Sequence, residues 1–175
     1  MVDQSTALLR LVLAFGLGSV LGLERELRGQ VAGLRTHILV CLGACLFTLS
    51  SLLIEQTLGA GTHPAVRVDA SRIASQVVVG IGFLGGGAIL RHGATIKGLT
   101  TAANLWLTAS VGLATGLGFP VPAAATAGLA LVSLVGLRFL EDGIRRFRHQ
   151  RGLATEDHLA SRAPKEEGGE TKRGD

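Results

Sequence analysis

Apolar residues in this chain come in long blocks, neither alternating nor confined to one helical stripe. Five runs stand out, residues 5–23, 38–54, 73–90, 99–117 and 121–140, and apart from Arg10 and Arg138 the charges fall between or beyond them. A helix that is apolar all round needs an apolar environment all round. The first run has 19 residues, which as an α-helix reach about 28 Å, the scale of a bilayer hydrocarbon core. The pattern predicts an all-α integral membrane protein with about five transmembrane helices, its membrane domain covering residues 1–140.

The intervening stretches read as connections. The first carries Glu24, Arg25, Glu26, Arg28, Gly29 and Arg35 before His37 opens the second run, which Glu55 and Gln56 close. Residues 59–72, with Gly61, Pro64, Arg67 and Asp69, read as a loop, residues 91–98 as a short basic loop and residues 118–122 as a turn. Beyond Leu140 the character changes, and residues 141–175 read as a tail. Residues 141–151 set Arg145, Arg146 and Arg148 beside Ile144 and Phe147, a basic amphipathic extension suited to a lipid surface. Residues 161–175 are glycine-rich and charged, and are expected to stay disordered.

Composition sharpens this picture. The chain is 47% hydrophobic and 17% charged with a mean hydropathy of +0.44, and its first 140 residues hold only nine Lys or Arg and five Asp or Glu. A soluble domain is about a quarter charged. The net charge of +4 does not point to nucleic acid, because aromatics are 4% and tyrosine is absent, leaving no bases-on-aromatics platform. Basic residues flanking spans, retained on the cytoplasmic side, explain the charge better. The first connection (Arg25, Arg28, Arg35), the third (Arg91, Lys97) and the tail then share the cytoplasm, and the N-terminus is periplasmic. No basic cluster precedes the first run, so it is expected to stay in the membrane and not to act as a cleaved leader. Cys41 and Cys45 lie four apart inside an apolar run and read as free packing thiols.

Candidate chemistry is sparse. Gly80-Ile81-Gly82-Phe83-Leu84-Gly85 fits the GxGxxG dinucleotide fingerprint, but no acid occurs between Asp69 and Glu141 to hold a ribose. The glycines make more sense in lipid, where small residues let helix backbones approach. Gly18 and Gly22, Gly82 and Gly86, and Gly112 and Gly116 are each spaced by four and are expected to form packing seams in three spans. Arg10 is expected to snorkel outward, and Glu24 and Arg28 to form an interfacial ion pair. Gln76, Thr100, Thr101, Asn104, Thr108 and Ser110 are expected to bond between helices, and Trp106 to pack in mid-span. The histidines show no metal-ligand spacing and no nucleophile is paired with a base and an acid, so no enzymatic activity and no cofactor are expected.

Five blocks, Gly22-Leu23-Glu24-Arg25-Glu26, Ala32-Gly33-Leu34-Arg35-Thr36-His37, Arg72-Ile73-Ala74-Ser75-Gln76-Val77, Gly80-Ile81-Gly82-Phe83-Leu84-Gly85 and Gly98-Leu99-Thr100-Thr101-Ala102-Ala103-Asn104-Leu105-Trp106, together resemble the MgtC/SapB family of bacterial membrane proteins. The resemblance implies a multi-pass inner-membrane protein linked to growth at low magnesium and, in some members, to survival inside host cells. In the best-known members it implies inhibition of the ATP synthase by direct membrane contact. Virulence-type members carry a folded soluble domain after the last span, whereas 35 residues follow Leu140 here, so the chain reads as a short member.

Two function classes stay open on sequence. One is a small membrane protein acting by protein contact in magnesium or ion homeostasis or envelope stress adaptation, with the lipid bilayer, a further membrane protein or a second copy as partner. The other is a transporter or channel for Mg2+ or another cation, built by a homo-oligomer. The residues most suited to either role are Glu24, Arg25, Glu26, Arg35, Gln76, Arg91, Thr100 and Asn104, polar groups at span ends and in seams.

Overall fold

The computed structural model describes residues 2–59, 71–92 and 95–150. Among the described residues, five helices, α1 (Gln4–Leu27), α2 (Leu34–Gly59), α3 (Ser71–Ala88), α4 (Leu99–Leu117) and α5 (Pro120–Gln150), are joined with one small antiparallel hairpin, β1 (Leu90–His92) and β2 (Thr95–Lys97). The chain divides into two compact units, residues 1–134 and 135–175. In the second, the described residues are the remainder of α5, helical to Gln150 with Ile144 and Phe147 exposed. The tail expected to be disordered lies outside the described residues.

The helix ends are set by local chemistry. Asp3 caps α1, its carboxylate accepting from the Thr6 amide at 2.8 Å and the Ser5 hydroxyl at 3.1 Å, and the hydrogen bonds from Thr6 hold that carboxyl below its usual range. At the other end Gly29 adopts a left-handed φ of 61°. The Gly29 amide donates to Glu26 O and the Gln30 amide to Arg25 O, the paired bonds of a Schellman stop. Helix α4 lies between Gly98 (φ 91°) and Gly118 (φ 89°), and coincides with the fourth apolar run. Helix α1 outlasts its apolar run by four residues, and α2 begins at Leu34 and not at 38. Apolarity marks where lipid ends, while caps mark where the hydrogen-bond ladder ends. The basic loop expected at residues 91–98 is largely the hairpin, with Arg91 opposite Ile96 and Leu90 opposite Lys97.

Inside and outside are reversed relative to a water-soluble bundle. Large apolar side chains face outward, among them Leu9 (69% exposed), Phe15, Phe47, Phe83 (84%) and Val132, while the fully buried positions include Cys41, Cys45, Thr48, Ser51, Thr108 and Thr115. Such a surface is incompatible with water and matches lipid. Among the described residues, Gln4–Leu27, Leu34–Thr57 and Pro120–Leu137 are long and apolar enough to cross a membrane, and Ser75–Ala88 is a shorter apolar helix. The protein is an all-α integral membrane protein.

Helix α2 is held between α1 and α4 by glycines. A Cβ at Gly18 would stand 2.9 Å from Cys41 Cβ, and one at Gly22 2.8 Å from Leu34 Cα. A Cβ at Gly116 would lie 2.7 Å from Thr48 Cβ, and one at Gly112 would overlap the Cys41 carbonyl oxygen. Cys41 therefore sits where both seams cross, its side chain toward α1 and its carbonyl toward α4. The third expected pair differs: Gly82 and Gly86 face open space, and α3 instead approaches α4 through Gly85, where a Cβ would stand 3.6 Å from Ala102 Cβ. A core of Ala14, Leu21, Cys41, Cys45, Leu49, Val111, Ala123, Ala127 and Ala130 joins α1, α2, α4 and the start of α5.

Three further expectations are corrected. Arg10 does not reach outward; its Nη1 donates to Gly116 O at 2.7 Å, covering a carbonyl left unpaired by the end of α4. Thr108 and Ser110 donate to Asn104 O and Trp106 O of their own helix, a bond always within reach one turn back. Trp106 is half exposed on the outer surface of α4 and is not a core residue.

Candidate functional site

Three consecutive residues at the end of α1 point three ways, as 100° per residue requires. Glu24 turns toward Arg28 one turn on, with Oε1 2.5 Å from Nε, and Arg28 Nη1 donates to Leu134 O of α5 at 3.3 Å. The expected ion pair therefore forms, and it is largely shielded: 9% of the Glu24 side chain and 23% of that of Arg28 remain exposed. The Glu24 oxygens accept no hydrogen bond among the described residues, so the pair is held by charge and proximity and not by aligned N–H groups.

Arg25, 5% exposed, turns into the bundle. Its Nη2 donates to Gln30 Oε1 at 2.8 Å and to Thr101 Oγ1 at 3.2 Å. Glu26 reaches across the connection, where its Oε2 accepts from the Leu34 amide at 2.9 Å. It thereby caps α2 from eight residues upstream. The carboxylate lies where a Cβ at Gly33 would stand, so a side chain there would displace it.

One turn into α2, His37 is fully buried. Its Nδ1 lies 2.8 Å from Gly33 O and its Nε2 2.8 Å from Asn104 Nδ2. A carbonyl only accepts, so Nδ1 carries the proton; Nε2 then accepts from the Asn104 amide, and the ring is neutral. In this way the end of α1, the start of α2 and the start of α4 are tied by one polar cluster, at the opposite end of α4 from the Arg10 contact.

Of the residues singled out from sequence, Glu24, Arg25, Glu26 and Asn104 belong to this end of the bundle. Arg35 and Thr100 lie exposed in the first turns of α2 and α4, and Arg91 is exposed on β1. Gln76 lies apart, in a groove between α2 and α3. Sequence reasoning missed His37, Gln30 and Gly33, whereas Thr101 and Asn104 make the interhelical bonds expected of them, to Arg25 and His37. Gly33 and His37 are one helical turn apart, a readable cue, but nothing local joins His37 to Asn104, 67 residues away. Among the described residues no cluster of three or more His, Cys, Asp or Glu gathers to hold a metal ion.

Fold and site define a polytopic helical membrane protein in which glycine seams bring three helices together beneath a buried polar cluster. The chain belongs to the MgtC family, whose sequence model matches residues 11–143. It is 43% identical over 155 residues to the protein slr0014 of Synechocystis sp., covering 89% of this chain and 61% of that one. It is 45% identical over 111 residues to "Putative magnesium transporter YhiD" of Escherichia coli K12, covering 63% of this chain and 51% of that one. To "Protein MgtC" of Salmonella typhimurium strain LT2 it is 46% identical over 111 residues, covering 63% and 43%. The chain thus spans about half the length of the curated relatives it matches. No solved structure matches it significantly.

Proposed function

We propose that the protein serves magnesium homeostasis in the bacterial inner membrane by lateral contact with another membrane protein, and that it neither catalyses a reaction nor conducts the ion. The observation that carries this reading is the use of the polar groups within the chain: Glu26 caps α2, Glu24 faces Arg28, and Asn104 bonds His37. A cation path would need carboxylate, carbonyl or amide oxygens facing a shared lumen. Magnesium enters through the relative named as a transporter and through the family. The orientation, with the N-terminus periplasmic and the tail cytoplasmic, is supported by Arg25, Arg28 and Arg35 lying at the end of the bundle where α4 follows Arg91 and Lys97.

A second reading, a cation path through a homo-oligomer, is favoured by that relative's name and by the buried Glu24 oxygens that accept no hydrogen bond among the described residues. Crosslinking in native membranes followed by purification separates the two. Lateral contact predicts a stoichiometric second membrane protein, the ATP synthase being the first to probe by family resemblance. Recovery of this chain crosslinked only to itself would overturn the proposal.

A further inference from the structure

Helix α4 begins without a side-chain cap. Its N-cap residue is Gly98, and the first of its amides to find a partner is that of Ala102, which donates to Gly98 O at 2.9 Å. The amides of Leu99, Thr100 and Thr101 donate to nothing among the described residues, whereas α1 and α2 have the carboxylates of Asp3 and Glu26 at the corresponding place. Leu99 and Thr100 are exposed, so this end of α4 is open to its surroundings. Arg25 is aimed at the same turn. It is 5% exposed and its Nη2 lies 3.2 Å from Oγ1 of Thr101, the third residue of α4, yet its Nε is buried without a partner. Among the described residues no carboxylate pairs with it, since Glu24 is held against Arg28 and Glu26 on the Leu34 amide. A guanidinium withdrawn from water with no anion beside it is costly, and the helix start adds partial positive charge to it. Lys97, exposed on β2 two residues before α4, adds a further cation.

We propose that this end of α4 binds a phosphate oxyanion, its oxygens accepting from the Thr100 and Thr101 amides and from the Arg25 guanidinium. Two independent features ask for the same ligand. Free amides at a helix start favour an anion with several oxygens, and a buried fork of N–H donors suits two oxygens of one phosphate. A carboxylate of the chain would serve as well, but none occurs between Asp69 and Glu141, and Glu24 and Glu26 are committed elsewhere. Two sources carry phosphate chemistry to the end of a membrane-embedded bundle, a phospholipid headgroup and a phosphate free in solution. The site is separate from the lateral contact proposed above and stands without it.

Thermal unfolding of the full chain in detergent tests this, with sodium chloride exchanged for sodium phosphate at constant ionic strength, and with dioleoyl phosphatidic acid against dioleoyl phosphatidylcholine in mixed micelles. A ligand of the folded state raises the midpoint as its concentration grows, which yields an affinity. Inorganic phosphate, phosphatidic acid or both should raise it, the first marking a free source and the second alone a lipid. Thr100→Asp sets a carboxylate in the first turn, where it complements the helix dipole. It should raise the midpoint without ligand and weaken phosphate binding by roughly tenfold or more. Arg35→Gln lowers the net charge equally at an exposed position of the same end and should weaken it by less than about threefold. Arg25→Gln, where it folds, should abolish binding. No rise with either ligand, a rise that Thr100→Asp leaves unchanged, or equal weakening by Thr100→Asp and Arg35→Gln would each overturn the proposal.

Discussion

Gly112→Leu is expected to remove the folded bundle, while Gly82→Leu leaves it intact. Both changes improve intrinsic helix propensity by roughly 1 kcal/mol, so propensity alone predicts no difference. The distinction lies in what a side chain meets. At Gly112 even a Cβ would overlap the Cys41 carbonyl oxygen and stand 2.9 Å from Ala44 Cβ, whereas at Gly82 there is open space. The obstructing atom belongs to the backbone of α2, and α2 cannot retreat, because Gly18 and Gly22 hold its other side against α1. Overpacking a closed contact costs about 1–3 kcal/mol and more where backbone must shift, against a total stability of about 5–15 kcal/mol. Fluorescence-detected gel filtration in detergent with a thermal ramp should show loss of the monodisperse peak for Gly112→Leu and no loss for Gly82→Leu. Equal behaviour of the two would show that α2 is not held as described.

The second large effect is expected at the His37–Asn104 contact. Asn104→Leu leaves His37 Nε2 buried without a partner, and an unsatisfied buried acceptor costs about 1–3 kcal/mol. Pairing His37→Phe with Asn104→Leu removes both polar atoms and should be less destabilising than the two single costs added together. The coupling expected for residues in direct contact is about 0.5–3 kcal/mol. Thr100→Ala, four residues away but exposed, should change stability by no more than about 0.5 kcal/mol. Unfolding in mixed detergent and sodium dodecyl sulfate measures all four variants, and strictly additive costs would mean that the two side chains do not share a bond.

The fold class was legible because lipid imposes a coarse rule: long, all-round apolar runs have few alternatives to spanning helices. The ends of α4 were legible for a local reason, the glycines that flank it. The start of α2 was not, because Glu26 caps it from across the connection, and a carboxylate that looks like part of a charged loop gives no sign of where it reaches. Gly82 and Gly86 have the same spacing as Gly112 and Gly116, but spacing carries no information about which helix face has a neighbour. Arg10 was misplaced for a similar reason: its partner, Gly116 O, is 106 residues away. Of the site, the residue types at span ends were legible, while His37 was overlooked because one histidine at the edge of an apolar run resembles many packing histidines.

In the function proposed above, charge at the cluster serves to join α1, α2 and α4 and not to line a path. Glu24 is the residue on which this account and the transporter reading differ most, since its carboxylate is buried beside Arg28 in the first and must meet a hydrated cation in the second. Mg2+ entry into liposomes carrying the purified protein, followed with an internal fluorescent indicator, is the most direct test. The account predicts entry no faster than in protein-free vesicles, for the parent and for Glu24→Gln alike. Protein-dependent Mg2+ entry that Glu24→Gln abolishes would contradict it.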